Sequence, residues 1–247
     1  MIELCYSTFG LTDLDYLKAI DAVDTAGYPG IELAFHRDQF NPFDLTDDYL
    51  DSIRKKLETT QVKPACVATA SHFFTPSRPH EPSLMSPDLA GRKRRIDLVR
   101  RGVNVARKLG VSLVTFGSGF IRDEHVTHPQ VDPHALLVDS IHQCLQAIRE
   151  DEDITLLIEP EPGMYIETVE QGMRLIDEIG SQADAIDAAA RMAKLRHYLV
   201  VDRTPELPED FGMFDFRLQG GSTARTLAAV PKGLPPGFYF RYVPLPQ

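Results

Sequence analysis

Cysteine is scarce in this chain: Cys5, Cys66 and Cys144 lie far apart, and no CxxC spacing occurs. That excludes a disulfide framework and a zinc knuckle, and a reducing cytoplasm fits the pattern. Long apolar runs are also missing, and Met1 to Gly10 shows no basic stretch leading into an apolar one, so neither a membrane span nor a secretory signal is expected. Positive charge is in deficit. Twenty-six Lys and Arg stand against 36 Asp and Glu, a formal net charge of −10, which repels phosphate backbones and argues against nucleic acid as a partner. No GxGxxG follows the first strand-like segment, which weakens a dinucleotide-binding reading. What is present, 247 residues with 43% hydrophobic and 25% charged content, suits one large globular domain.

Up to Gly180 the chain alternates short β-branched runs with longer segments of helical periodicity, the mark of parallel βα units. The first unit reads as a strand over Ile2 to Thr8, an N-cap at Thr12, a stripe of Leu14, Leu17, Ile20 and Val23, and a close at Gly27. The second has a strand over Ile31 to Phe35 and a helix led by Thr46 with Leu50, Ile53 and Leu57 on its apolar face. The third strand, Ala65 to Ala70, leads through a long proline-rich loop, Pro76 to Pro87, to a helix carrying Ile96, Val99, Val103 and Ala106. Val111 to Phe116 and Ile154 to Ile158 are the fourth and fifth strands. Their helices carry Leu137, Ile141, Cys144, Leu145 and Ile148, and then Val169, Met173, Ile176 and Ile179 behind a Thr168 cap, with Gly180 as the stop. Five such units point to an α/β fold of the TIM (β/α) barrel type.

A complete barrel of eight units uses about 250 residues, or roughly 31 per unit. Here five units already reach residue 180 of 247. The expected organisation is therefore a single TIM-barrel-like domain over 1–247, regular over 1–180 and shortened and irregular over 181–247. Within that tail, Ala183 to Leu195 reads as an Ala-rich helix, His197 to Val201 as a strand, Thr223 to Val230 as a helix, and Phe238 to Val243 as a closing strand.

In a parallel barrel the C-terminal strand ends form the mouth where chemistry is built. Glu159 ends the fifth strand, where a carboxylate serves as a divalent-metal ligand or a general base, or else as a charge in solvent. Glu161 reads as a rim charge. Glu32, inside the second strand, needs a partner: an ion pair, or a substrate it helps to polarise. His36 and His72 follow the second and third strands, where imidazoles bind metal or substrate hydroxyls or sit satisfied in loops. Gly117-Ser118-Gly119 brings backbone N–H groups, and Ser118, close to a phosphate or sugar oxygen; it is not a GxSxG elbow. His125, His128 and His134 lack an i, i+4 pair and read as surface. The run Arg92 to Arg95, with Arg100 and Arg101, flanks the Ile96–Val99–Val103 stripe and reads as the solvated outer face of a helix.

Five pieces taken in order resemble the xylose isomerase-like TIM-barrel superfamily of sugar and sugar-phosphate isomerases and epimerases and endonuclease IV-type enzymes. They are Tyr6-Ser7-Thr8-Phe9-Gly10, Gly27-Tyr28-Pro29-Gly30-Ile31-Glu32-Leu33, Ser71-His72-Phe73-Phe74, Ala106-Arg107-Lys108-Leu109-Gly110 and Leu157-Ile158-Glu159-Pro160. The resemblance implies a divalent metal, manganese, magnesium, cobalt or zinc, with Glu159 as the fifth-strand ligand and a small polyhydroxy carbonyl compound, a sugar or related polyol carbonyl, as substrate. It also implies carboxylate proton transfer through an enediolate. The family's sixth-strand ligand segment has no counterpart after Gly180; Leu199-Val200-Val201-Asp202 keeps the seventh-strand Asp but has Leu in place of the imidazole; Arg241 stands where the closing Glu is expected. His72, His197, Asp202 and Asp215 are the residues that would rebuild a site. Three readings follow. One is a sugar isomerase or epimerase; another is a degenerate relative that binds a small molecule or a partner chain as a homo-oligomer. The third, a phosphodiester nuclease, is opposed by the acidic balance.

Overall fold

The computed structural model describes residues 3–69, 72–182 and 198–201. Within them every strand pairs in parallel, because each is separated from the next by a helix that carries the chain back along the sheet. The elements are β1 (Glu3–Ser7), a 3₁₀ turn (Thr8–Leu11), α1 (Tyr16–Thr25), β2 (Gly30–Ala34), α2 (Asp47–Glu58), β3 (Lys63–Ala68), α3 (Leu89–Leu109), β4 (Leu113–Gly117), α4 (Asp123–Thr127), α5 (Pro133–Leu145), β5 (Thr155–Glu159), α6 (Val169–Gln182) and β6 (Tyr198–Val201). The sheet order is β5-β4-β3-β2-β1-β6. Among the described residues no helix is long and apolar enough to cross a membrane.

Two packing surfaces follow from strand alternation, which sends successive side chains to opposite faces. Ile31, Leu33 and Val114 face outward to meet Ile20, Ile53, Leu98 and Val103 of the helices. A second outer cluster joins Phe116, Leu137, Ile141 and Leu175. The inner face carries smaller groups, Cys66 with Leu113 and Leu157, and Cys5 packs against Ala65, the extra residue where the β2–β3 register shifts. Interdigitated outer clusters of this kind, rather than helix propensity, hold βα units together.

Helix starts follow side-chain chemistry. Thr46, Asp88 and Asp132 accept hydrogen bonds from the first-turn amides of α2, α3 and α5. The Thr12 cap is corrected: Thr8–Leu11 forms a 3₁₀ turn, Asp15 caps α1 through a 3.1 Å bond from Leu17 N, and Leu14 precedes the helix with 37% exposure. In α6 the stripe is also corrected. Val169 and Met173 are exposed while Leu175 is buried, and Gly180 lies inside the helix rather than at its end.

The tail differs from expectation at one pairing. Tyr198–Val201 aligns with Glu3–Tyr6 of β1, the edge where a barrel's closing strand belongs. It therefore does not occupy the seventh-strand position that the Asp202 match suggested. An unpaired edge strand exposes a row of N–H and C=O groups, and pairing satisfies it. The segments Ala183 to Leu195, Thr223 to Val230 and Phe238 to Val243, with His197, Asp202, Asp215 and Arg241, lie outside the described residues.

Candidate functional site

Because the sheet is parallel, all strand C-termini open at one end, and alternation decides which side chains enter the lumen there. On β5, Leu156 and Ile158 pack against the helices while Leu157 joins Cys66 and Leu113 inside. Glu159, two residues past Leu157, therefore shares its inward face. Its register partner is Gly117 at the end of β4.

Gly117 is glycine for a reason the sequence does not reveal. A Cβ there would lie 2.6 Å from His80 Cε1 and 2.8 Å from His80 Nδ1. The His80 imidazole thus packs closely against Gly117 on β4, one strand away from Glu159. His80 is 7% exposed and has a φ of 62°, a left-handed backbone that side chains other than glycine and asparagine seldom adopt. Its Nε2 is 3.9 Å from Glu161 Oε2, and its ring meets the edge of Phe120 at 5.8 Å. Sequence reading missed His80 and set Glu161 aside as a rim charge. The only available signal was a histidine within the long loop after β3, and a loop carries no periodicity from which to place it.

The glycine motif serves the protein interior. At Gly119, with φ 88°, a Cβ would lie 2.5 Å from Ser83 Cβ, so Gly117 and Gly119 make room for His80 and Ser83 respectively. Ser118 is fully buried; its Oγ accepts from Ile166 N at 3.0 Å and donates to Gly119 O at 3.3 Å. It fastens the loop after β5, so a substrate contact would have to compete with that bond.

Glu32 is 1% exposed and held across three strands: Ser7 Oγ donates to Oε1 at 2.7 Å and Cys66 Sγ donates to Oε2 at 3.3 Å. Hydrogen bonds to both oxygens offset the desolvation of a carboxylate. His36 and His72 come together around Phe9, with ring separations of 6.4 and 6.1 Å. The predicted residues thus fall into two groups at the mouth: His36 and His72 on the β1–β3 side, Glu159 on the β4–β5 side with His80 and Glu161.

Two surface readings are corrected. His125 is 6% exposed; its Nδ1 accepts from Arg122 N at 3.0 Å, which leaves Nε2–H to donate to Met85 O at 3.1 Å, so it links the loops after β3 and β4. Arg95 is also buried, donating to Pro82 O at 2.7 Å beneath the β3 loop, and burial pushes its guanidinium down to about 10. Lys93, Arg94 and Arg100 are exposed as expected.

A protein-family model described as a xylose isomerase-like TIM barrel matches residues 20–188. No curated protein matches the chain. Solved structures with a similar fold include a D-tagatose 3-epimerase-like protein, with 13% identity and a TM-score of 0.57 over 72% of this chain and 61% of that one. A D-psicose 3-epimerase in the presence of D-fructose aligns with 18% identity and a TM-score of 0.56 over 72% and 60%. An AP endonuclease, family 2, from Brucella melitensis aligns with 16% identity and a TM-score of 0.53 over 72% and 65%. The chain spans less than two thirds of each of these proteins.

Proposed function

The chain belongs to the xylose isomerase-like TIM-barrel family, and from that premise we propose that it is a sugar isomerase- or epimerase-like protein acting on a small polyhydroxy carbonyl compound. The observation that carries this reading is the Glu159 carboxylate on the inner face at the strand ends, with an imidazole laid against the neighbouring strand. A carboxylate so placed takes a proton from a carbon next to a carbonyl, the step common to aldose–ketose isomerisation and epimerisation; giving it back to the neighbouring carbon completes an isomerisation, whereas epimerisation needs a second acid to protonate the opposite face. His36 and His72, flanking the Phe9 ring, are proposed to contact substrate hydroxyls from the opposite side, and the inner-face Glu32 to hold the floor beneath them. The D-fructose present with the similar D-psicose 3-epimerase supports a ligand of this chemistry.

The family resemblance implies a divalent metal, and the described residues do not fit one. Among them no three His, Cys, Asp or Glu side chains converge on a common point, and Glu159 alone supplies too few oxygens for a hard cation. No step is therefore assigned to a metal. The departures from the family's ligands in the sequence, Leu199 in place of the imidazole and Arg241 in place of the closing Glu, favour a second reading, a non-catalytic relative that binds a small molecule or a partner chain; it predicts no turnover of any sugar.

Hydrogen exchange separates the two. D-fructose and D-tagatose incubated with the protein in D₂O are expected to acquire deuterium beside the carbonyl, seen by NMR. Glu159→Gln should slow this by about 10²–10⁴-fold, the usual worth of a positioned acid–base group. Equal exchange in the variant would remove Glu159 from the chemistry, and no exchange with the wild-type protein would leave the second reading.

A further inference from the structure

Past Glu159 the β4–β5 ladder stops, because Pro160 has no N–H to donate. The next bonds from this chain to β4's loop come from two successive amides: Tyr165 N donates to Gly119 O at 2.9 Å and Ile166 N to Ser118 Oγ at 3.0 Å. Glu161 N in turn donates to Ile166 O at 3.2 Å and Met164 N to Glu161 O at 3.0 Å, so the segment 161–166 is closed on itself. The exit of β5 is thus held on both sides, by the Gly117 register pairing before Pro160 and by Ser118 after it. We propose that Ser118 is a positioning residue: through Ile166 it fixes the exit of β5, and with it the direction in which the Glu159 carboxylate meets a substrate, without touching the sugar itself. This rests on the sugar isomerase- or epimerase-like reading of Glu159.

The chemistry of the hydroxyl suits this role. Ser118 is fully buried, and its proton is directed to Gly119 O at 3.3 Å or Met164 Sδ at 3.9 Å, which leaves a lone pair of Oγ for the Ile166 amide. Two consecutive acceptors, Ser118 Oγ and Gly119 O, therefore meet two consecutive donors across the strand gap. The limb they grip is buried as well: Met164 lies against Gly117, and Ile166 packs in the outer cluster with Phe116 and Leu175. Water cannot easily replace an acceptor there, so deleting the hydroxyl strands the Ile166 N–H and costs more than the bond alone contributes. A general base depends on such support. Its rate falls steeply when it is displaced from the reacting carbon, whereas affinity for a sugar that Ser118 does not contact stays as it was.

The test follows deuterium uptake by D-fructose and D-tagatose over a range of sugar concentrations and, in sugar-free samples, amide exchange at Ile166 by NMR. Ser118→Ala should speed exchange of the Ile166 amide and lower the saturating rate of deuterium uptake about 10–100-fold, with the half-saturating sugar concentration unchanged. Ser118→Cys, close in size but a weaker acceptor, takes its place if the alanine variant does not fold. Thr60→Val is the control for a merely structural loss. Thr60 is buried, its hydroxyl donates to Leu57 O at 3.1 Å, and it sits just before β3, by the N-terminal strand ends and away from Glu159; the wild-type rate is expected there. A wild-type rate in Ser118→Ala, an equal loss in Thr60→Val, or an Ile166 amide that exchanges no faster would each overturn the positioning role. A raised half-saturating concentration at an unchanged saturating rate would make Ser118 a substrate contact and overturn it too. All of these leave the sugar reading standing, because the wild-type protein still exchanges. Absence of exchange in the wild-type protein would remove that reading and the role of Ser118 with it.

Discussion

His80 owes its place to tertiary packing, whereas the roles of its neighbours were partly written in their residue types. A carboxylate at the end of an aliphatic strand could be placed from periodicity alone, because Leu157 and Glu159 differ by two positions and must share a face. An imidazole in a proline-rich loop could not, and neither could His125, whose two ring nitrogens are both used in joining loops. Residue chemistry also predicts a pH response. Arg107 donates to Glu152 at 2.8 Å through its second guanidinium nitrogen, and this bond, with an amide from Arg149, holds the Glu152 carboxyl down at about 2 instead of 4.5. A depressed carboxyl stabilises the fold above its unfolded pKa and loses that contribution as pH falls toward the folded one. Thermal unfolding followed from pH 5 to pH 2 should therefore decline less steeply in Glu152→Gln than in the wild-type protein; parallel curves would show that the pair contributes nothing to acid sensitivity.

Elements were legible where period and cap agreed. For α2, Thr46 and the Leu50–Ile53–Leu57 stripe all stand as expected. They were misplaced where a short turn intervened, as at Thr8–Leu11, which shifts the start of α1 to Asp15. In α6 the helix was recognised but not the angle at which it seats, so Leu175, which the expected stripe leaves out, is buried and Met173 is exposed. That angle belongs to the packing of one element on another. At α3 it is tight: a Cβ on Gly102 would meet Thr69 Cγ2 at 2.9 Å and Val114 Cγ1 at 3.0 Å. Gly102→Val should force α3 away from the sheet and cost at least about 1–3 kcal/mol as overpacking. The check is the urea midpoint, and one equal to that of the wild-type protein would mean that the helix sits less closely.

For the whole molecule, the βα alternation up to residue 180 announced a parallel barrel, and the family match over 20–188 agrees. Its closure was not legible, since two stretches of the tail, His197 to Val201 and Phe238 to Val243, read as strands. The structure gives the β1 edge to Tyr198–Val201. Val200→Pro removes an amide from that ladder and should lower the melting temperature by roughly 2–4 °C for each kcal/mol lost; an unchanged melting temperature would detach β6 from the sheet. The sequence by itself determined the class of fold, the first five strands and the acidic group at the end of the fifth. These depend on the two-residue strand period and the helical repeat, which are local properties of the chain. Only the tertiary structure decided that an imidazole from the β3 loop lies on Gly117 beside that acid, and which segment closes against β1. Those depend on distances between residues remote in sequence, which no local period encodes.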